Sequence, residues 1–189
     1  MTESDTHPAE SARARLSKRI IALLVGLAVF TVVLDQVTKS IVVATMTEGQ
    51  VISLIPGVAE FKFVRNPGAA FSFASGQTWI FSVLAIVVTG VIIWVARRIR
   101  SRAWAVVFGL LLGGTLGNLI DRLFREPGFG RGYVIDFMYL PWMMPAIFNV
   151  ADIAITAAAV VFAILILRNI GLDGKRSITK PRTKTPADD

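Results

Sequence analysis

Four apolar stretches dominate this sequence, at residues 20–44, 79–96, 103–123 and 146–167. Each is close to the roughly 20 residues that a helix needs to cross a hydrocarbon core of about 30 Å. Backbone amides in hydrocarbon find no water, so such stretches satisfy them within helices. The expected architecture is therefore an all-α integral membrane protein with four transmembrane helices. Composition agrees: 54% of the 189 residues are hydrophobic and 17% are charged, whereas soluble domains carry about 25% charged residues. The first stretch has a basic flank (Arg13, Arg15, Lys18, Arg19) like that of a cleaved signal peptide. Its length and the intrusion of Asp35 and Lys39 favour a retained helix.

Lys and Arg number 20 against 13 Asp and Glu, and 14 of the 20 fall in three places: the N-terminal tail, the 97–102 turn, and the segment from Arg168 onward. By the positive-inside rule both termini and that turn face the cytoplasm. The basic surplus reads as a topology signal and a lipid anchor rather than a nucleic-acid footprint. Loops 45–78 and 124–145 then face outward. Glu60–Arg65 alternates like a strand after a Pro56-Gly57 turn, and Tyr133–Phe137 has an extended character. Both loops are apolar enough to lie on the bilayer surface. Residues 1–18 and 171–189 are polar and expected to be disordered, which leaves one domain over 19–170. No internal repeat is visible.

There is no cysteine, and the one histidine, His7, lies in the N-terminal tail. Disulfides, thiol nucleophiles, Ser-His catalysis and His-based metal sites are excluded. Ionisable residues within spans are expensive and point to function: Asp35 and Lys39 in the first, Asp121 and Arg122 in the third, Asp152 in the fourth. At about 1.5 Å per residue all five fall near the outer edge of the membrane. Asp35 and Lys39 have the i,i+4 spacing of an ion pair, although Lys39 could equally snorkel to the interface. Asn118 and Asp121 share a face one turn beyond Gly109, Gly113 and Gly117, a ladder that permits close helix packing. Asn149 and Asp152 also share a face, and Asn149 has an alternative role as a helix cap.

Asp136 lies outside the helices, and alone it would be an ordinary solvated acid. Beside Asp152 at an apolar boundary its meaning changes, because two neighbouring carboxylates cannot easily both ionise and one holds a proton. Such a pair can activate a water with one carboxylate while the other polarises a scissile carbonyl. Asn66, Asn118, Asn149 and Arg122 are expected to hydrogen-bond the backbone or headgroup oxygens of a substrate. A Ser72–Lys39 pair is conceivable, but nothing in the sequence brings the two together. A four-span transporter coupling through Asp35, Asp121 or Asp152 is the competing class; transporters favour midplane carboxylates and repeats, and neither is seen. An accessory subunit with structural polar clasps leaves Asp136 unexplained.

Five segments in order carry a resemblance: Asp35-Gln36-Val37-Thr38-Lys39, Asn66-Pro67-Gly68-Ala69-Ala70-Phe71-Ser72, Gly113 through Arg122, Val134-Ile135-Asp136-Phe137, and Phe148-Asn149-Val150-Ala151-Asp152. Together they resemble the motifs of the bacterial lipoprotein signal peptidases (type II signal peptidases) over about residues 20–168. The resemblance implies an aspartyl endopeptidase of the bacterial cytoplasmic membrane, with its active site on the extracytoplasmic side. It would remove the signal peptide from diacylglyceryl-modified prolipoproteins, cut just before the lipidated cysteine, and be sensitive to globomycin. Asp136 and Asp152 would be the catalytic pair. Asp35, Lys39, Asn66, Gly68, Asn118, Asp121, Arg122 and Asn149 match supporting or substrate-contacting positions. No metal or cofactor is implied. The expected partners are prolipoprotein substrates and membrane lipids, with no nucleic acid, and the chain is expected to act as a monomer. A small sheet-like cradle is implied in the first outer loop, and the glycine ladder of the third span is a candidate surface for the incoming signal helix.

Overall fold

The computed structural model describes residues 6–68 and 78–176, with side chains from residue 18 onward. Eight elements follow one another: α1 (Thr6–Thr45), β1 (Val51–Ile55), β2 (Ala59–Asn66), α2 (Thr78–Ala96), α3 (Arg102–Phe124), β3 (Val134–Tyr139), β4 (Ile147–Phe148) and α4 (Val150–Leu167). Every helix contains a stretch long and apolar enough to cross a membrane, at Lys18–Thr45, Thr78–Ala96, Arg102–Phe124 and Val150–Leu167. The four-helix membrane architecture with a small sheet is therefore as expected from the sequence.

Three boundaries differ. The segment expected to be disordered from 171 is ordered through Arg176, because Gly171 N donates to the Lys175 carbonyl and Arg100 N to the Leu172 carbonyl. Helix α1 begins at Thr6, inside the segment read as a polar tail. The fourth helix begins at Val150 rather than 146, because Ile147 and Phe148 pair with Tyr139 and Met138 as a short strand. Hydropathy does not separate a buried strand residue from a helical one. The true start is set by Asn149: its side chain accepts from the Asp152 amide while the Asp152 carboxylate accepts from the Asn149 amide, a reciprocal capping box.

Helix α3 is the hub, packing against α1, α2 and α4, and it is the most buried of the four. Its glycines allow this. Gly109 lies against Leu24 and Leu27 of α1, Gly113 against Ala28 and Thr31, and Gly114 against Ala151 and Ile155 of α4. A Cβ on Gly113 would come within 2.6 Å of the Thr31 Cβ, and one on Gly114 within 2.5 Å of the Ala151 carbonyl oxygen. The ladder is thus filled by the protein's own helices, which overturns its candidacy as a surface for a substrate helix. Helix α2 is the outlying member: Val83, Leu84, Val87, Val91 and Trp94 are exposed along it.

The sheet has the order β1-β2-β3-β4, antiparallel throughout, and draws two strands from each outer loop. The alternation at Glu60–Arg65 is β2, and the extended stretch through Phe137 is β3. The register sets Val64 opposite Asp136 and Asn66 opposite Val134. Phe63, Ile135 and Phe137 fasten the sheet to Val42 and Met46 at the end of α1. A second apolar core (Ile20, Leu24, Ile99, Trp104, Val107, Leu165) holds the opposite end of the helices together.

Candidate active site

Asp136 comes from β3 and Asp152 from the first turn of α4, and Asn149 joins them. The Asn149 side-chain amide donates to Asp136 Oδ1 at 2.6 Å, and its backbone amide donates to Asp152 Oδ2 at 3.1 Å. Asn66 donates to Asp136 Oδ2 at 2.7 Å, and Asn118 donates to Asp152 Oδ1 at 2.9 Å. Each of the four carboxylate oxygens accepts one amide hydrogen bond. The two acids differ in access: Asp136 is buried, whereas Asp152 is half-buried. Burial pushes the Asp136 carboxyl up from 3.8 to about 6. The Asn66 amide opposes the rise, the neighbouring Asp152 adds to it, and the Asn149 amide opposes it. Asp152 also lines an apolar groove of about 560 Å³ along α4, with Met143, Met144, Phe148, Ile153 and Val160.

Beneath the pair lies a buried ionic cluster. Lys39 Nζ is 2.8 Å from Asp35 Oδ2, 2.8 Å from Asp121 Oδ2 and 2.9 Å from Asn118 Oδ1. The side chains of Lys39, Asp35 and Asp121 are wholly inaccessible, so the ion-pair reading holds and the snorkelling reading does not. An ammonium can only donate. Asn118 must therefore turn its oxygen toward Lys39, which turns its NH2 toward Asp152. The cluster also pins the backbone on which the pair stands: Asp35 Oδ1 accepts from the Ala151 amide at 2.9 Å, and Asp121 Oδ2 accepts from the Ile135 amide at 3.2 Å. Ala151 and Ile135 immediately precede Asp152 and Asp136 in the chain. A coupling role for Asp35 or Asp121 in transport is not favoured by this arrangement, since both are locked to Lys39.

The expected site residues thus converge. The side-chain amides of Asn66, Asn118 and Asn149, expected to hydrogen-bond a substrate, donate here to the two aspartates. Arg122 lies beside the site. It makes no ion pair among the described residues, donates to the Asn118 carbonyl at 3.4 Å and lies 5.5 Å from the Phe81 ring. Gly68 packs against the same two side chains in a positive-φ conformation (+88°), where a Cβ would come within 2.8 Å of Phe81. Ala69, Ala70, Phe71 and Ser72 lie outside the described residues. The Ser72–Lys39 alternative has its lysine already engaged by three acceptors.

Two further residues join the cluster without having been expected there. Arg125 Nε binds Asp121 Oδ1 at 2.6 Å, and Gln36 Nε2 lies within 3.2 Å of Asp35, the Gly117 carbonyl and Asp121. Arg125 was detectable from its i,i+4 spacing to Asp121. Nothing in the spacing of Gln36 marks it out.

The comparisons with known proteins agree with one another. A family model described as "Signal peptidase (SPase) II" matches residues 27–168. A lipoprotein signal peptidase of Leifsonia xyli subsp. xyli is 52% identical over 168 residues, covering 89% of this chain and 77% of that one. One of Mycobacterium tuberculosis is 41% identical over 155 residues, covering 82% and 76%. A solved bacterial membrane enzyme, determined by the in meso method at 1.9 Å, superposes with a TM-score of 0.69 at 31% identity, covering 77% of this chain and 93% of that one.

Proposed function

The chain belongs to the signal peptidase II family of membrane aspartic peptidases, and from that premise we propose that it removes the signal peptide from diacylglyceryl-modified prolipoproteins by cutting just before the lipidated cysteine. Asp136 and Asp152 are the reacting pair in this reading. The observation that carries it is the amide cradle, which holds two neighbouring carboxylates of unequal burial at one end of the helices.

The chemistry follows from one proton shared by the pair. The ionised carboxylate removes a proton from a water as its oxygen attacks the scissile carbonyl carbon. The protonated carboxyl donates its proton to the carbonyl oxygen, forming a neutral tetrahedral diol. Collapse of the diol breaks the C–N bond as a proton passes to the leaving amine of the cysteine, and the carboxylates return to one shared proton. The four amide donors do not move during these steps, so they act as fixed dipoles about the developing charges. Lys39 keeps the Asn118 amide turned the right way throughout. In this reading Arg122, which forms no ion pair among the described residues, meets a substrate carbonyl.

The site's position suits a substrate whose acyl chains stay in lipid. The groove along α4 runs from Asp152 between apolar side chains, a shape that fits an apolar signal segment or acyl chain. With the basic turn and termini in the cytoplasm, the pair faces outward from the cytoplasmic membrane.

The test is to incubate the purified protein with one prolipoprotein in diacylglyceryl-modified and unmodified forms, and to read the new N-terminus by mass spectrometry. The reading predicts cleavage of the modified form with the lipidated cysteine as first residue. Equal cleavage of the unmodified form, or a product beginning elsewhere, would overturn it.

A further inference from the structure

The end of the molecule farthest from the aspartates carries a built substructure that proteolysis does not use. Helix α4 stops in a Schellman motif: Asn169 adopts φ +53°, its amide donates to the Ile166 carbonyl at 2.9 Å, and the Ile170 amide donates to the Leu165 carbonyl at 2.9 Å. The chain then closes a small hook, in which Gly171 N donates to the Lys175 carbonyl at 2.9 Å and Ile170 bridges to Arg176. The hook is tied to the α2–α3 turn. Arg100 N donates to the Leu172 carbonyl at 2.9 Å, and Trp104 Nε1 donates to the Ile170 carbonyl at 3.2 Å. Ile99 is completely buried between them.

This fastening gathers charge. The turn presents Arg97, Arg98, Arg100 and Arg102, all exposed. The hook adds Arg168, Lys175 and Arg176, also exposed. None of the seven forms an ion pair among the described residues, and Asp173 is the one described carboxylate on the hook and turn. Helix α3 begins here as well, with Ser101 making no side-chain cap bond, so the positive end of its dipole adds to the field.

The level of this face is marked by its neighbours. Arg98 lies 4.4 Å from the ring of Trp94, which is exposed at the end of an apolar span, and Leu167, 81% exposed, immediately precedes Arg168. Tryptophan and arginine at the end of a span belong to the headgroup zone. Cations held at that level by a folded turn, with no ion-pair partner among the described residues, lie where lipid phosphates are found. We propose that the turn and hook together form a binding surface for the phosphates of anionic lipid headgroups, which fasten this end of the bundle in its leaflet.

The probe is the full chain in nanodiscs of phosphatidylglycerol mixed with phosphatidylcholine, with retained lipid counted by native mass spectrometry. The variant is Arg97→Gln/Arg102→Gln/Lys175→Gln/Arg176→Gln, whose side chains make none of the hook's hydrogen bonds. An unchanged melting temperature in zwitterionic detergent shows that it is folded. Each cation near an anionic surface contributes about a fivefold gain in binding, so the wild type should retain phosphatidylglycerol preferentially and the variant should lose that preference about tenfold or more. A Lys62→Gln/Arg131→Gln variant, altered at the sheet end, should keep it. Three results would overturn the proposal: no preference in the wild type, a preference that survives in the fourfold variant, or displacement of the lipid by millimolar inorganic phosphate, which would make this a site for the free anion.

Discussion

The two ends of α3 are packed by opposite means. Near its start Trp104, Ala105 and Val107 enter an apolar core with Ile20, Leu24, Ile99 and Leu165. Near its finish Asn118 and Asp121 enter a core of charges and amides with Asp35, Lys39 and Asn149. The first kind of core is stabilised by close van der Waals packing of apolar side chains, which replaces contacts with lipid and leaves no polar group to satisfy. The second gains little stability of its own: desolvating three charges costs about what their attraction returns, and an apolar replacement is often as stable. What the polar end supplies is fixed orientation. Lys39 sets the Asn118 amide, Asp121 holds the amide before Asp136, and Asp35 holds the amide before Asp152. One end of the bundle is held by apolar packing and the other by a charged cluster that fixes the orientation of the groups around Asp136 and Asp152.

That division can be broken or sharpened by substitution. The largest effect is expected from Lys39→Met, which leaves Asp35 and Asp121 buried without their shared cation and should remove about 3–5 kcal/mol of stability. A melting temperature in detergent equal to that of the wild type would show that the cluster does not depend on its lysine. Trp104→Ala at the apolar end should cost about 3 kcal/mol or more, yet leave kcat/KM per folded molecule unchanged. A parallel loss of specific activity would mean that the two ends are not separable. Gly113→Ala, between them, forces a methyl group against Thr31 and should cost about 1–3 kcal/mol, measured by the same melt.

The smallest effect is the most specific. Burial pushes the Asp136 carboxyl up to about 6, and in the proposed mechanism the pair shares one proton, so kcat/KM should fall as pH rises through that value and the shared proton leaves. The Asn66 amide stabilises the charged form and holds that value down. Its removal in Asn66→Ala should therefore move the alkaline limb to higher pH. A limb that stays in place, or moves to lower pH, would separate Asn66 from the titration of the pair.

The spans and the charges within them (Asp35, Lys39, Asp121 and Asp152) were legible because a charge inside an apolar run stands out whatever the tertiary structure, whereas Asp136 on β3 gained meaning only beside Asp152. The ion pair of Asp35 with Lys39 was legible as one of two options; choosing between them required knowing that Asp121 arrives from another helix on the same side. The direction of the asparagine amides was not legible, since it depends on which acceptors lie within 3 Å across four elements. The glycine ladder announced close packing without naming its partners, and α1 and α4 fill it. The start of α4 was hidden by the apolar Ile147-Phe148 pair, although the Asn149–Asp152 capping box was present in the sequence to mark it.

The central claim is that Asp136 and Asp152 act as one reacting pair, and the most direct measurement is cleavage of a diacylglyceryl-modified prolipoprotein by Asp136→Asn and Asp152→Asn, followed by gel shift with melting curves in parallel. Asparagine keeps the shape and cannot ionise, so both variants should fold, and each should lose activity by about 10²–10⁴-fold. A folded variant of either kind that cleaves near the wild-type rate would contradict the account and move the chemistry away from this pair.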